Sequence, residues 1–270
     1  MKMNNIDSIE LARKVRVHAL KMVNKGGSSH IGSVFSIVDI LAVLYGRVMR
    51  YKPKEPKWND RDRFILSKGH AGAGVYAVLA ECSFFSVADL DNHYQDGSIF
   101  SGHVSHKGIP GVELSTGSLG HGLSIGSGMA LAAKIDKKNH SVIVLMSDGE
   151  LDEGSNWEAF MFSSHHYLNN LTAIIDRNGL QSIKTTEQTL ALEPLAEKLN
   201  AFGWHVIEVD GHNHEELFNA ITLAVDKPKV IIANTIKGKG VSFMEDEIKW
   251  HYQTPKDDLF DKAIKELEAI

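Results

Sequence analysis

The chain has 270 residues, 43% hydrophobic and 23% charged, with 29 basic against 34 acidic side chains and a formal net charge of −5. That balance excludes a generally basic nucleic-acid binder. One cysteine, Cys82, excludes an internal disulfide framework or a thiolate metal cluster, and no run of about 18 apolar residues is present to span a membrane. Cys82 reads as a small apolar residue beside Phe84 and Phe85. Met1–Glu10 carries acids and no apolar h-region, so no secretory signal is expected and the cytoplasm is the default compartment.

In chain order, Ile6–Lys25 repeats apolar residues at helical spacing and stops at Gly26-Gly27. Ser36–Met49 is a buried stretch of helical length, and Tyr51–Asp60, with Pro53 and Pro56, is a loop. Phe64–Leu66 is a short strand, followed by Ser67-Lys68-Gly69-His70 and a helix over Val75–Glu81. Ser98–Gly122 is long, polar and dense in Gly, Ser and His, the profile of a functional loop. From there the pattern is regular. Helices are predicted at Leu123–Ile135, Asn156–His166, Glu193–Phe202 (with Pro194 in its first turn), His214–Val225 and Lys256–Ala269. Strands are predicted at Ser141–Met146, Leu171–Ile175, Trp204–Val209 and Val230–Ala233.

Continuous apolar strands alternating with longer helices predict an α/β fold, a parallel sheet with helices on both faces. There is no internal repeat, low-complexity tract or linker, so residues 1–270 read as a single domain with elaborated terminal segments.

The sharpest local feature is Ser147-Asp148-Gly149-Glu150-Leu151-Asp152-Glu153-Gly154, between a strand and a helix. Ligands of parallel sheets sit at the carboxyl ends of strands, and a helix beginning beyond Gly154 would offer free N–H groups to a phosphate. The next strand ends in Asp176-Arg177-Asn178-Gly179-Leu180. Asp148 and Asn178 would then lie on neighbouring strand ends. A carboxylate, an amide oxygen, a backbone carbonyl and phosphate oxygens form a hard donor set suited to magnesium. Gly149 would let backbone approach a phosphate closely. The competing reading is plain turn chemistry, since Asp-Gly and Asn-Gly are common turns.

His30, His70 and His103 each sit among glycines and serines, where a ligand can reach the imidazole for hydrogen bonding or proton transfer. A zinc site is a weaker idea, because His103/His106 and His212/His214 lack a third ligand at standard spacing. Gly120–Gly126 comes near a dinucleotide fingerprint but follows a polar loop rather than a strand. Lys237-Gly238-Lys239-Gly240 is either a phosphate contact or a solvated turn, and His251 is uninterpretable by spacing.

Together these segments resemble the thiamine-diphosphate-binding half of transketolase. Asp148-Gly149 … Asn178 resembles the family's thiamine diphosphate motif. Ser67-Lys68-Gly69-His70, Thr116-Gly117-Ser118-Leu119-Gly120 and Ile236-Lys237-Gly238-Lys239-Gly240 resemble other family segments in the same order, from about His18 to about Pro255. The resemblance implies a thiamine diphosphate (PP-type) domain. It implies that Asp148, Asn178 and the Leu180 carbonyl hold Mg²⁺ (or Ca²⁺ or Mn²⁺) and that Gly149 and His70 contact the diphosphate. Gly117 and Leu119 would lie beside the aminopyrimidine, and Glu153 would meet the partner subunit. His30, His103 and His251 would line the substrate channel, with His103 contacting a hydroxyl and His30 and His251 handling protons.

Three positions depart from the family pattern. Ser147 replaces the usual Gly before the motif Asp, His121 replaces a common Gln, and Ile31-Gly32-Ser33-Val34 lacks the Pro of many relatives. All three bear on substrate preference. Full-length transketolases carry two further domains, one of which supplies the glutamate that activates the cofactor. The expectation is therefore the N-terminal subunit of a split transketolase, transferring a two-carbon ketol unit from a ketose or ketose phosphate to an aldose. It would be inactive without its C-terminal counterpart, and the two would assemble as α2β2. No nucleic-acid or membrane partner is expected. The alternatives are a nicotinamide-dependent oxidoreductase using Gly120–Gly126, or a non-catalytic regulatory subunit of the same fold. Intact Asp148, Asn178, His70 and His103 argue against the latter.

Overall fold

The computed structural model describes residues 6–269; of the Met1–Glu10 segment, residues 1–5 lie outside it. Five parallel strands form one sheet in the order β1-β2-β3-β5-β4: β1 (Arg63–Leu66), β2 (Val142–Ser147), β3 (Leu171–Arg177), β4 (His205–Asp210) and β5 (Lys229–Asn234). Within β2, Ile143 and Leu145 join one hydrophobic cluster while Val142, Val144 and Met146 join another. That period of two is the strand's alternation of side chains, with both faces covered.

The first face carries α1 (Ser8–Gly26), α2 (Ile31–Phe35), α3 (Val38–Val43) and α4 (Gly72–Glu81). The second carries α5 (Gly122–Ile135) and α6 (Gly154–His165), and beyond a short turn, α7 (Thr186–Thr189), also α8 (Leu195–Ala201). α9 (His214–Thr222) and α10 (Asp257–Glu268) return to the first face. The sequence-based architecture holds. Among the described residues no helix is long and apolar enough to cross a membrane.

Local differences have local causes. Asp7 caps α1 by accepting the Ile9 amide hydrogen at 2.9 Å, and Gly27 closes it at φ 63°. The expected helix over Ser36–Met49 is broken and begins earlier. α2 gives way after Phe35: Ser36 keeps helical dihedrals and its amide still bonds the Gly32 carbonyl at 3.2 Å, but Ile37 (φ −105°, ψ 0°) bonds Val34, three residues back, and α3 then runs into a π-helical turn at Leu44–Val48. The expected helix at Glu193–Phe202 starts at Leu195, with Pro194 at its cap in an extended conformation rather than in the first turn. α9 stops at Thr222, short of Val225, where the Lys229 ammonium bonds the carbonyls of Ala220, Ile221 and Leu223 at 2.6–2.9 Å. Cys82 is buried and unpaired, as its apolar neighbours predicted.

Register decides where the chemistry goes. Ser147 pairs with Asp176, and Asp176 pairs with Ala233, so β2, β3 and β5 end in one row. The residues leaving that row are Asp148, Asn178 and Thr235–Lys237, and Ser67-Lys68 leave β1 beside them.

Candidate active site

At those strand exits lies a cavity of about 260 Å³, lined among others by Lys68, Asp148, Gly149, Asn178, Leu180 and Lys237. Asp148 is 1% exposed. Its carboxylate accepts the amide hydrogens of Gly149 at 2.8 Å and Gly179 at 2.7 Å, and Arg177 at 3.2 Å. Burial first, then the neighbouring Asp176 charge, pushes the Asp148 carboxyl above its ordinary range. A bound cation would reverse that direction.

Asp176 is the hub beneath the cavity floor. It is fully buried, and its oxygens accept from Lys68 Nζ at 2.5 Å, Ser36 Oγ at 2.7 Å, Asn178 Nδ2 at 2.9 Å and Thr235 Oγ1. Burial alone would raise its pKa, but the Lys68 ammonium and these donors outweigh it and hold the carboxyl below the usual range. Because Asp176 takes the Asn178 NH₂, the amide oxygen is left as the group that accepts the Leu180 amide hydrogen at 3.1 Å. The Lys237 ammonium is buried and donates to the carbonyls of Leu180 at 3.1 Å and Gln181 at 3.2 Å. Burial and the Lys68 charge push it down to about 8.

Above this floor four imidazoles gather. His30 lies 5.1 Å from His70, 4.9 Å from His251 and 5.8 Å from His103, centroid to centroid. His30 adopts φ 74°, a left-handed conformation costly for a non-glycine residue. Its amide donates to the His251 carbonyl at 2.9 Å, and its Nδ1 bonds Ser29 Oγ at 2.7 Å. Burial, then neighbouring positive groups, pushes His30 down to about 4 and His251 to about 3, and holds His70 well below its ordinary value. These rings are neutral at physiological pH and offer one donor and one acceptor each. His251 Nδ1 is buried with no hydrogen-bond partner among the described residues.

Of the residues singled out in the sequence, Asp148, Gly149, Asn178, Leu180, His70, Leu119 and His251 line the cavity. His30 and His103 join through the ring cluster, and Gly117 lies against the His103 ring, where an added Cβ would sit 3.3 Å from it. Glu153 is exposed, outside the cavity and beside Gly120. The start of α6 does not line the cavity either; the turn Gly149–Asp152 does, through Gly149. No strand precedes Gly120–Gly126, which a dinucleotide loop requires.

Sequence reasoning missed Asp176, Lys68 and Glu150. Glu150 is fully buried and accepts from Ser67 Oγ, the Gly120 amide at 2.9 Å and the Ser147 amide at 3.2 Å, tying three site loops together. The available signal was a charged residue directly at each strand exit. Among the described residues no three His, Cys, Asp or Glu side chains could hold a metal by themselves. The carboxylate of Asp148, the amide oxygen of Asn178 and the Leu180 carbonyl are hard oxygen donors of the kind a Mg²⁺–diphosphate group takes; the Leu180 carbonyl here accepts from the Lys237 ammonium, which a bound cation would have to displace toward the phosphate.

A family model described as "Transketolase, thiamine diphosphate binding domain" matches residues 8–267. The chain is 42% identical over 266 residues to an apulose-4-phosphate transketolase subunit of Phocaeicola vulgatus, covering 97% of this chain and 94% of that one. It is 40% identical over 271 residues to the 6-deoxy-6-sulfo-D-fructose transketolase subunit SqwG of a Clostridium species, covering 99% and 98%. Among solved structures, Campylobacter jejuni transketolase superposes with a TM-score of 0.92 at 32% identity, over 97% of this chain and 42% of that one. The chain thus spans about two-fifths of the solved transketolases it matches.

Proposed function

The chain belongs to the transketolase family, as a thiamine diphosphate-binding domain, and from that membership we propose that it is the cofactor-binding subunit of a two-chain transketolase. In this reading it serves transfer of a two-carbon ketol unit from a ketose or ketose phosphate to an aldose. The observation that carries the reading is the convergence of Asp148, Asn178 and the Leu180 carbonyl on one cavity that also holds two buried lysines. When bound, thiamine diphosphate supplies the nucleophilic carbon and the electron sink this chemistry needs.

The chain's own groups bind and orient. Asp148, Asn178 and Leu180 hold Mg²⁺, while Gly149, His70, Lys68 and Lys237 face the diphosphate. Gly117 and Leu119 border the ring system. His103 contacts a substrate hydroxyl. His30 and His251 act as neutral imidazoles, each able to accept a hydroxyl proton at one nitrogen while donating from the other. An anionic diphosphate nearby would raise their pKa values toward neutrality.

Two relatives matched over 94% and 98% of their length are themselves named as subunits. The proposal therefore includes a separate C-terminal subunit that supplies the pyrimidine-binding domain and the activating glutamate, with Glu153 at the junction, in a cytoplasmic α2β2 assembly. The relatives' names include a sugar phosphate and a sulfonated deoxy sugar, so the substrate is sought in that range.

The test is a thermal-shift and dialysis series on the chain alone and with a co-expressed partner. Thiamine diphosphate with Mg²⁺ should raise the melting temperature by several degrees, and EDTA should remove the effect. Ketol transfer should need both chains. Saturable NADH binding with no response to thiamine diphosphate would overturn the cofactor reading, and turnover by the single chain would overturn the partner.

A further inference from the structure

Behind the β4 and β5 exits lies a second cleft, about 570 Å³, whose walls carry Arg16, Asp39, His212, His214 and Lys239. Its charged groups are spoken for. Arg16 grips both Asp39 oxygens at 2.6 and 3.0 Å and donates Nε to the Lys239 carbonyl at 3.2 Å. His214 bonds Asp39 at 3.1 Å and Ser8 at 2.8 Å. With Arg16, Asp39, His212 and His214 bonded to one another and to neighbouring protein groups, this cluster is built to hold protein rather than ligand.

What it holds is the segment that carries Lys237. His212 Nδ1 meets Asp39 Oδ2 at 2.7 Å, and His212 Nε2 meets the Ile236 amide nitrogen at 2.8 Å. A backbone amide only donates, so Nε2 accepts, the ring proton sits on Nδ1, and Asp39 receives it. Asp39, gripped by Arg16 from the other side, thereby fixes both the tautomer and the ring orientation. The close approach needs Gly211, where a Cβ would run into the Thr235 side chain and come within 3.1 Å of the Asn234 carbonyl. The chain of contacts is Arg16–Asp39–His212–Ile236, and the next residue is Lys237, which lines the cofactor cavity.

We propose that His212 is a positioning residue for the diphosphate site: through the Ile236 amide it sets the backbone from which Lys237 reaches the cavity. The proposal deepens the functional reading above and rests on it, because it takes Lys237 as a diphosphate contact. His212 itself does not line the cofactor cavity.

Two conservative variants separate positioning from general packing. In His212→Gln the side-chain oxygen reaches the former Nε2 position and keeps an acceptor for Ile236. In His212→Asn the amide reaches only the former Nδ1 position, keeping the Asp39 contact and losing Ile236. Hydrogen exchange of the 234–240 backbone in the full chain, without ligand, reads the hydrogen bond directly. Titration of the chain co-expressed with its partner with thiamine diphosphate in excess Mg²⁺ reads its consequence. His212→Asn should speed exchange at Ile236 and weaken thiamine diphosphate by about five- to tenfold, with His212→Gln restoring both. In a Lys237→Met background, His212→Asn should add no further weakening.

Equal behaviour of the Asn and Gln variants overturns the proposal, as does faster exchange with unchanged affinity. So does equal weakening with and without Lys237. A wild-type chain that fails to bind thiamine diphosphate even with its co-expressed partner overturns the cofactor reading itself, and is told apart because the exchange difference at Ile236 persists.

Discussion

The Gly179 amide donates to the Asp148 carboxylate at 2.7 Å, bridging the exits of β2 and β3. The two strands therefore present Asp148 and Asn178 as one surface, with a hydrogen bond between the loops instead of solvent. Asp148→Ala removes a proposed cation ligand and the bond that sets the loop spacing. Loss of an outer-shell partner alone typically costs about 10- to 100-fold in metal affinity, so thiamine diphosphate with Mg²⁺ should bind at least about a hundredfold more weakly. Isothermal titration checks this, and unaltered affinity would remove Asp148 from the cation shell.

Lys68 and Asp176 form a buried ion pair at 2.5 Å with side-chain exposures of 1% and 0%. Removing one charge leaves the other buried and uncompensated, which costs about 3–5 kcal/mol. Asp176→Asn should therefore destabilise the ligand-free chain by that order in urea. Lys68→Met added to Asp176→Asn should recover part of the loss, because the stranded ammonium is gone. Additive losses in the double variant would show that the pair does not couple.

Four of the strands were readable because they are short apolar runs buried on both faces, whereas β4, at the sheet edge, is only partly buried; the exits of β2 and β3 were readable because Asp148 and Asn178 follow them directly. The break between α2 and α3 was not, since nothing in that apolar run marks Ile37 (φ −105°, ψ 0°) as the residue where the helix is interrupted, next to Ser36, whose hydroxyl meets Asp176, 140 residues away. Lys68 and Lys237 look like solvated turn residues in sequence. Their burial exists only once the exits of β1, β3 and β5 converge. Glu153 is the converse: conspicuous in its acidic run, yet exposed and off the cavity.

Gly149 shows where space is reserved. A Cβ there would come within 2.8 Å of Gln181 Cγ, the middle of a flexible side chain that bonds Asp152 at 2.8 Å. Gly149→Ala should thus cost the ligand-free fold less than about 1 kcal/mol, since Gln181 can swing away. The methyl and the displaced Gln181 would both crowd the diphosphate, so affinity for thiamine diphosphate should fall about tenfold, or about 1.4 kcal/mol. A large drop in ligand-free melting temperature would instead make Gly149 a folding requirement.

His93 supplies an acid-sensitivity test away from the site. It is 2% exposed, its Nε2 shares a hydrogen bond with Ser28 Oγ at 3.1 Å, and its Nδ1 has no partner among the described residues. Burial pushes its pKa from 6.5 down to about 4. Below pH 6.5 the unfolded chain takes up a proton that the folded chain refuses until about pH 4. Stability therefore falls as pH drops through that window, by about 3 kcal/mol for this residue. His30 and His251, also depressed, add to the slope in the same direction. His93→Phe keeps a ring of similar size and cannot titrate. It should cost about 1 kcal/mol or less at pH 7.5, where the Ser28 bond is lost, and should be less destabilised than the wild type between pH 6.5 and 4.5. Urea unfolding at both pH values measures the difference. Parallel wild-type and variant profiles would show that His93 protonates freely in the fold, against the burial that the Tyr76, Tyr94 and Ser28 contacts impose.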